Sequence, residues 1–463
     1  MHVRFFLPLL LAAWLAAPAA AAPSIQHWNT ANGARVYFVP IRELPMVDIK
    51  LVFDGGSARD QGLPGLARFT NSMLQEGAGP YDADAIAEHL AVLGAELSTD
   101  SARDMASVGL RVLSDPAVRD RAGELLGLIV GKPSFPPDAL QRVRGQRLVE
   151  LQEEQQSPAD VATRAFYANA FSDHPYSLPP SGTEASLAAI KVPDLQRFHQ
   201  RYYVSRNVVV VIVGDLERAQ AELLAAKVVA KLSEGEPARQ PPTAPPVETP
   251  IHRSIAFPSA QTHILVGRPA ISRLDDDYYA LYVGDHILGG GDLVSVLFEE
   301  VRERRGLAYS VGSYITPMRV EGPYIMSLQT RSDKAREAVD LMRTLLIRFV
   351  KDGPTAAQLG AAKKNITGGF PLRIDSNRNI LSYVAMIGFY GLPLDYLDTF
   401  NERIDAVTID DVRSAFARHI DPQRLITIMV GPGAASENHR PEAKRASISA
   451  SDEAFIREDT VEP

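Results

Sequence analysis

The chain closes the same way twice. Pro193-Asp194-Leu195-Gln196-Arg197-Phe198 runs on through Tyr202-Tyr203 into Val208–Gly214, and Asp410-Asp411-Val412-Arg413-Ser414-Ala415-Phe416 runs on through Arg424-Leu425 into Ile426–Gly431. In both, a capped amphipathic helix leads through a polar turn into a β-branched strand that stops at glycine. The two glycines stand about 217 positions apart, the period expected of a duplicated domain of about 200 residues. Between the copies, Pro237, Pro241, Pro242, Pro245, Pro246 and Pro250 deny residues 236–250 both helical and ladder hydrogen bonds. An extended linker is therefore expected there, between units at 24–235 and 251–435.

Within each unit the hydrophobic period changes along the chain. Val47–Phe53, Ala106–Val112, His263–Gly267, Tyr309–Ile315 and Tyr324–Thr330 read as strands. Helical spacing covers Asp82–Leu93, Ala117–Val130, Pro137–Gln155 and Val192–Tyr202, then Asp275–Ile287, Leu293–Arg305, Lys334–Lys351 and Ala356–Thr367. Strand and helix do not alternate strictly, which predicts an α+β fold with helices packed on a mainly antiparallel sheet rather than a doubly wound parallel one.

The two ends stand apart. Met1-His2-Val3-Arg4, the apolar run Phe5–Leu15 and the small residues up to Ala19-Ala20-Ala21 read as a cleaved secretory signal over 1–22, too short to span a bilayer. Residues 436–463 are polar and charged, and are expected to be a disordered tail. A signal with no later apolar span and no cysteine fits a periplasmic protein without a stable membrane anchor. The absence of cysteine also excludes thiolate metal sites and cysteine nucleophiles. A net charge of −8 without a basic block argues against a nucleic-acid partner.

Gly65-Leu66-Ala67-Arg68-Phe69-Thr70-Asn71-Ser72-Met73-Leu74, preceded by Gly55-Gly56-Ser57, resembles the pitrilysin/insulinase family of zinc peptidases, in its mitochondrial-processing-peptidase-like branch. Pro133-Ser134-Phe135, His174-Pro175-Tyr176 and Asn207-Val208-Val209 add to the likeness. It is closer over Leu288-Gly289-Gly290-Gly291, Phe298 to Val311, Gly369-Phe370-Pro371-Leu372 and Phe389 to Leu397. The resemblance spans about 27–435 and implies two homologous domains in a clamshell.

Active members of that family carry His-x-x-Glu-His on the helix opened by this Gly-Leu-Ala, with a later Glu as third zinc ligand. The matching positions are Arg68, Asn71 and Ser72, with Glu150 near the third. Arg68 has no lone pair, Asn71 cannot take a proton from water, and Ser72 is a poor zinc ligand. No two of the ten histidines lie three or four residues apart, so a helical pair elsewhere is absent, and His174 is a weak candidate ligand. The chain is expected to bind no metal and to hydrolyse nothing by itself.

The resemblance also implies that the second domain supplies an Arg and a Tyr reaching a substrate carbonyl. These are Arg302 and Tyr309, with Gly306 ending a helix between them. Residue spacing alone leaves open that Arg302 merely pairs with Glu299 on a solvated helix face. Gly289-Gly290-Gly291 lacks the order of a phosphate cradle and reads as a tight turn. The segment Phe389–Leu397 reads as core. The expectation is a non-catalytic subunit of a periplasmic heterodimeric zinc metallopeptidase, with zinc in a homologous partner that has His-x-x-Glu-His, acting on peptide or unfolded polypeptide. Alternatives are a structural scaffold protein or a homodimeric peptide-binding chaperone with the same fold.

Overall fold

The computed structural model describes residues 24–432, so the expected signal segment and the tail lie outside the described residues. The first half runs β1 (Gln26–Asn29), β2 (Arg35–Pro40), β3 (Met46–Phe53), α1 (Leu66–Met73), β4 (Gly77–Ala78), β5 (Tyr81–Asp82), α2 (Ala83–Val92), β6 (Glu96–Ser101) and β7 (Ala106–Leu113). It continues with α3 (Pro116–Gly131), α4 (Pro137–Gln156), α5 (Pro158–Phe171), α6 (Glu184–Ala189), α7 (Val192–Tyr202), β8 (Val208–Gly214) and α8 (Arg218–Val229). The second half runs β9 (Ile251–Ala256), β10 (Thr262–Ile271), α9 (Tyr278–Asp285), β11 (Ala308–Ile315), β12 (Gly322–Thr330), α10 (Ala335–Asp352), α11 (Ala356–Gly369), α12 (Asn377–Tyr390), α13 (Tyr396–Ala406), α14 (Ile409–His419) and β13 (Ile426–Gly431).

The two main sheets share one plan. The first has the order β1-β2-β8-β3-β7-β6, the second β11-β12-β10-β13-β9. Each has a single parallel pair, β2 with β8 and β9 with β13, and is otherwise antiparallel. In both, the last strand of the half lies inside the sheet, and β6 and β11 occupy matching edges.

Every residue of β8 is buried, because both faces of its sheet are covered. Val208, Val210 and Ile212 join the core of their own half, whereas Val209, Val211 and Val213 pack with helices of the second half. The cover on that outer face is α12, whose Gly388 lies so close that an added Cβ would fall 2.7 Å from Val209. The reciprocal cover is α5, which puts Phe166 and Phe171 on Leu265, Ile426 and Ile428 of the second sheet. Each half thus lends a helix to the other. Burying a side chain of Val or Phe size contributes about 1.5–3 kcal/mol, so the exchange is a main source of cohesion.

A polar network pins the same junction. Asp104, 4% exposed, accepts hydrogen bonds from the Tyr176 hydroxyl (2.5 Å), the Tyr390 hydroxyl (3.0 Å) and the Arg319 backbone N–H (2.8 Å). Arg319 also lies 3.2 Å from Asp54, which Arg59 holds from the other side. Residues 233–250 contain neither helix nor strand, yet they are fastened. His174 Nε2 meets the Pro242 carbonyl at 2.8 Å, and the Ala238 and Ala244 N–H groups donate to Asn207 and Glu321. His174 is thus spent on the linker and on capping Tyr176 N–H.

The expected helix over Leu293–Arg305 is broken. A 3-10 turn at Asp292–Val294 precedes a π-helical stretch at Phe298–Glu303, and a second π-helical turn, His286–Gly290, ends α9 early. Of the residues at helical spacing, Leu297 and Val301 are buried, whereas Leu293, in the 3-10 turn, is exposed.

Candidate functional site

The helix that carries the motif positions is set by its first turn. Buried Asp60 accepts the N–H groups of Gly65 (2.7 Å) and Ala67 (2.8 Å), and burial pushes its carboxyl up to about 8 against those two bonds. Gly65 has φ +90°, and a Cβ there would lie 3.0 Å from Gly182, so glycine is required. Asn71 is buried on the inner face of α1. Its amide donates to the carbonyls of Asp100 (2.8 Å) and Ser107 (3.2 Å), and its oxygen accepts from the Tyr203 hydroxyl (2.9 Å). The residue standing for the family's general base is a clamp between helix and sheet.

Arg68 and Ser72 point toward α4. The Arg68 guanidinium lies 3.3 Å from Glu150 and 3.6 Å from Glu154. Arg147 approaches Glu150 to 2.6 Å and also donates to the Ser72 hydroxyl, which itself donates to the Arg68 carbonyl (2.9 Å). Glu150 is therefore held by two guanidiniums. No nitrogen or oxygen at 68, 71 or 72 directs a lone pair to a shared point, and two fixed positive charges already occupy the carboxylate. These residues do not fit a zinc ion.

Arg147 and Glu154 were not foreseen, although they flank Glu150 at i−3 and i+4, the spacing that puts charges on one helix face. One other group, Asp275, Asp277 and His419, comes within metal-binding range among the described residues. It is closed by ion pairs. Arg418 holds Asp277 below the usual carboxylate range, and both ring nitrogens of His419 face oxygens, of Ala270 and Asp277.

In the second half the structure brings Arg302 and Tyr309 together. Gly306, at φ +59°, donates its N–H to the Arg302 carbonyl and turns the chain into β11, whose second residue is Tyr309. The Arg302 guanidinium stacks between two rings, 4.6 Å from Phe298 and 4.8 Å from Tyr309. Glu299 pairs with Arg304, and Glu300 with Arg304 and Arg305. The i−3 pairing of Arg302 with Glu299 does not form. Tyr309 is 78% exposed at the free edge of its sheet.

Beneath them the glycine segment packs tightly. A Cβ on Gly289 would fall 2.5 Å from the Ser313 N–H of β11, so closeness rather than an unusual φ requires glycine here. Asp285 is buried, accepts from Ser313 Oγ (2.6 Å), and is pushed up to about 7 by burial. Of the segment read as core, only Phe389, Tyr396 and Leu397 are buried; Gly391, Pro393, Leu394 and Asp395 between them are exposed.

Two family models match in tandem. "Insulinase (Peptidase family M16)" covers residues 41–184, and "Peptidase M16 inactive domain" covers 189–366. The chain is 27% identical over 431 residues to "Non-peptidase homolog YmxG" of Helicobacter pylori, covering 92% of this chain and 98% of that protein. It is 28% identical to "Uncharacterized zinc protease Mb2805c" of Mycobacterium bovis, over 86% and 91% of the two. Among solved structures, a peptidase M16 inactive domain from Pseudomonas fluorescens superposes with a TM-score of 0.85 at 37% identity, over 89% of this chain and 99% of that one. A protease from Helicobacter pylori shares the fold at a TM-score of 0.82 and 18% identity.

Proposed function

The chain belongs to the insulinase (M16) peptidase family as an inactive, non-peptidase homologue, and from that premise we propose that it is the non-catalytic subunit of a periplasmic heterodimeric zinc metallopeptidase. One observation carries the reading: the carboxylate a zinc ion would need, that of Glu150, is held by the guanidiniums of Arg68 and Arg147. The partner, a homologue with His-x-x-Glu-His, binds zinc and supplies the hydrolytic step.

This chain closes the chamber and offers Arg302 and Tyr309. A guanidinium and a phenol are fixed donors, and donors aimed at a developing oxyanion are worth roughly 3–4 kcal/mol in a water-poor site. Support comes from their stacking, from the exposure of Tyr309 and from the absence of a carboxylate on Arg302 among the described residues. Substrates are extended peptides or unfolded segments, added as strands at the free sheet edges β6 or β11. Export by the N-terminal segment accounts for the compartment.

The test is co-expression with a homologue that has the intact motif, then zinc analysis and peptide cleavage for each chain alone and for the pair. Zinc in the partner only, with cleavage by the pair, is the expected result. Stoichiometric zinc and metal-dependent cleavage by this chain alone would refute it. Peptide binding without any effect on a peptidase would favour a chaperone, and no binding at all a scaffold.

A further inference from the structure

The degenerate motif is not inert filler; its surroundings have changed sign. Arg68 forms a common wall of two cavities, the first of them polar. One, of about 340 Å³, is lined with it by Asn71, Ser72, Arg147 and Thr99, Asp100 and Ser101 of the edge strand β6. The other, of about 200 Å³, reaches back to Arg103, Glu154, Asp160 and Arg164.

The two cations at the back differ from the two in front. Arg68 and Arg147 share Glu150 and Glu154. Among the described residues, neither Arg103 nor Arg164 forms an ion pair with a carboxylate. Arg103 is fixed by its Nε donating to the Tyr176 carbonyl (3.1 Å) and by the Tyr167 ring 3.4 Å beneath its guanidinium. Its neighbour Asp104 spends its oxygens on Tyr176, Tyr390 and the Arg319 N–H. Burial pulls the Arg103 guanidinium below its ordinary range, as expected of a desolvated cation short of counter-charge. Of the two carboxylates on the wall, Glu154 is engaged by Arg68 and Ser181, while Asp160 is exposed in the first turn of α5. A cavity with preplaced, planar guanidinium donors and too little negative charge selects a carboxylate, which can accept their forked bonds. Water alone takes about 30 Å³ per molecule, so a carboxylate head with a few waters fits.

We propose that the cavity walled by Arg68, Arg103 and Arg164 is a subsite for a carboxylate of a peptide laid along the β6 edge, supplied by an Asp or Glu side chain or by the peptide's own C-terminus. The inference rests on the peptide-binding part of the function above and names its substrate class. Arg68, which stands where the family's active members have a zinc ligand, here helps to wall a site for an anion on the substrate.

The experiment measures anisotropy of fluorescein-labelled extended peptides on the mature chain, alone and with its partner subunit. Three peptides of one sequence are compared: one Glu with an amidated end, Gln with an amidated end, and Gln with a free C-terminus. The Glu or the free-ended peptide binds about tenfold more tightly than the amidated Gln peptide, the size expected of one charge-assisted fork. Whichever of the two is preferred identifies the carboxylate's source, and the preference shrinks as salt rises. Arg164→Gln and Arg103→Gln remove the preference while the amidated Gln peptide binds as before. Arg164→Lys, which keeps the charge and loses the fork, retains part of it and guards against misfolding at Arg103. Equal binding of all three overturns the subsite and leaves peptide binding standing. Binding of none overturns both.

Discussion

The guanidinium of Arg302 lies 4.8 Å from the ring centroid of Tyr309, across a turn made by Gly306. The stack fixes two hydrogen-bond donors relative to each other without spending either on a protein carboxylate, since Arg304 and Arg305 take Glu299 and Glu300. Cation–π contacts at such separations contribute about 0.5–1 kcal/mol when exposed. That is enough to align the pair and too little to account for the fold around it.

Arg302→Ala is expected to lower kcat/KM of the assembled peptidase by about 10²–10³-fold, the usual cost of losing one oxyanion donor. Zinc content and pair formation stay unchanged. Steady-state kinetics with metal analysis on the purified pair checks this, and full activity would remove Arg302 from the mechanism.

Restoring the motif needs more than the motif. Arg68→His, Asn71→Glu and Ser72→His together are expected to leave zinc far below one per chain, because Arg147 still neutralises Glu150. Adding Arg147→Ala frees that carboxylate and raises zinc toward stoichiometry. Metal analysis of the two variants decides it: equal zinc in both would show that Arg147 is no obstacle.

The pH dependence of stability follows from Asp285. Its folded carboxyl titrates near about 7, above the ordinary 3.8, because burial disfavours the charged form. Between those values the native state holds a proton that the unfolded chain has lost. Stability is therefore full below about pH 4 and declines as pH rises to about 7, by at most about 1.4 kcal/mol per unit. Asp60 adds a decline of the same sign that continues to about 8. Asp285→Asn flattens the lower part of the slope in denaturant titrations run across that range, and an unchanged slope would clear Asp285 of the effect.

Tyr390→Phe removes one of three hydrogen bonds to buried Asp104 and is expected to cost about 1 kcal/mol. Asp104→Ala leaves the Tyr176 and Tyr390 hydroxyls without their shared acceptor and costs more, about 2–4 kcal/mol. Urea unfolding of each variant measures the difference, and equal losses would mean that the hydroxyl bonds carry little of the junction.

The strands that repeat between halves were legible because burial on both faces makes them continuous β-branched runs, as in Val208–Gly214. The helices α5 and α12 were not. The buried face of α5 is partly alanine, at Ala162 and Ala170, which gives a weak periodic signal. α12 buries its own Ile380, Leu381, Val384 and Ile387 around much of its circumference, so its apolar residues show no clear stripe. Both are decided by contacts with the opposite half, which no local window contains. At the site, the departures at 68, 71 and 72 could be read directly. The replacement of a metal by Arg147 could not, since it depends on α4 lying beside α1.

The loan of α5 and α12 across the junction also governs how the molecule comes into being. When β8 has been synthesised, its outer valines still lack their lid, and that lid lies well over a hundred codons downstream. At about 5–20 residues per second the nascent chain carries a greasy, unsheltered wall for about ten seconds or more. Holding chaperones have that interval in which to engage it, and a fragment ending after the first copy would never outgrow their care.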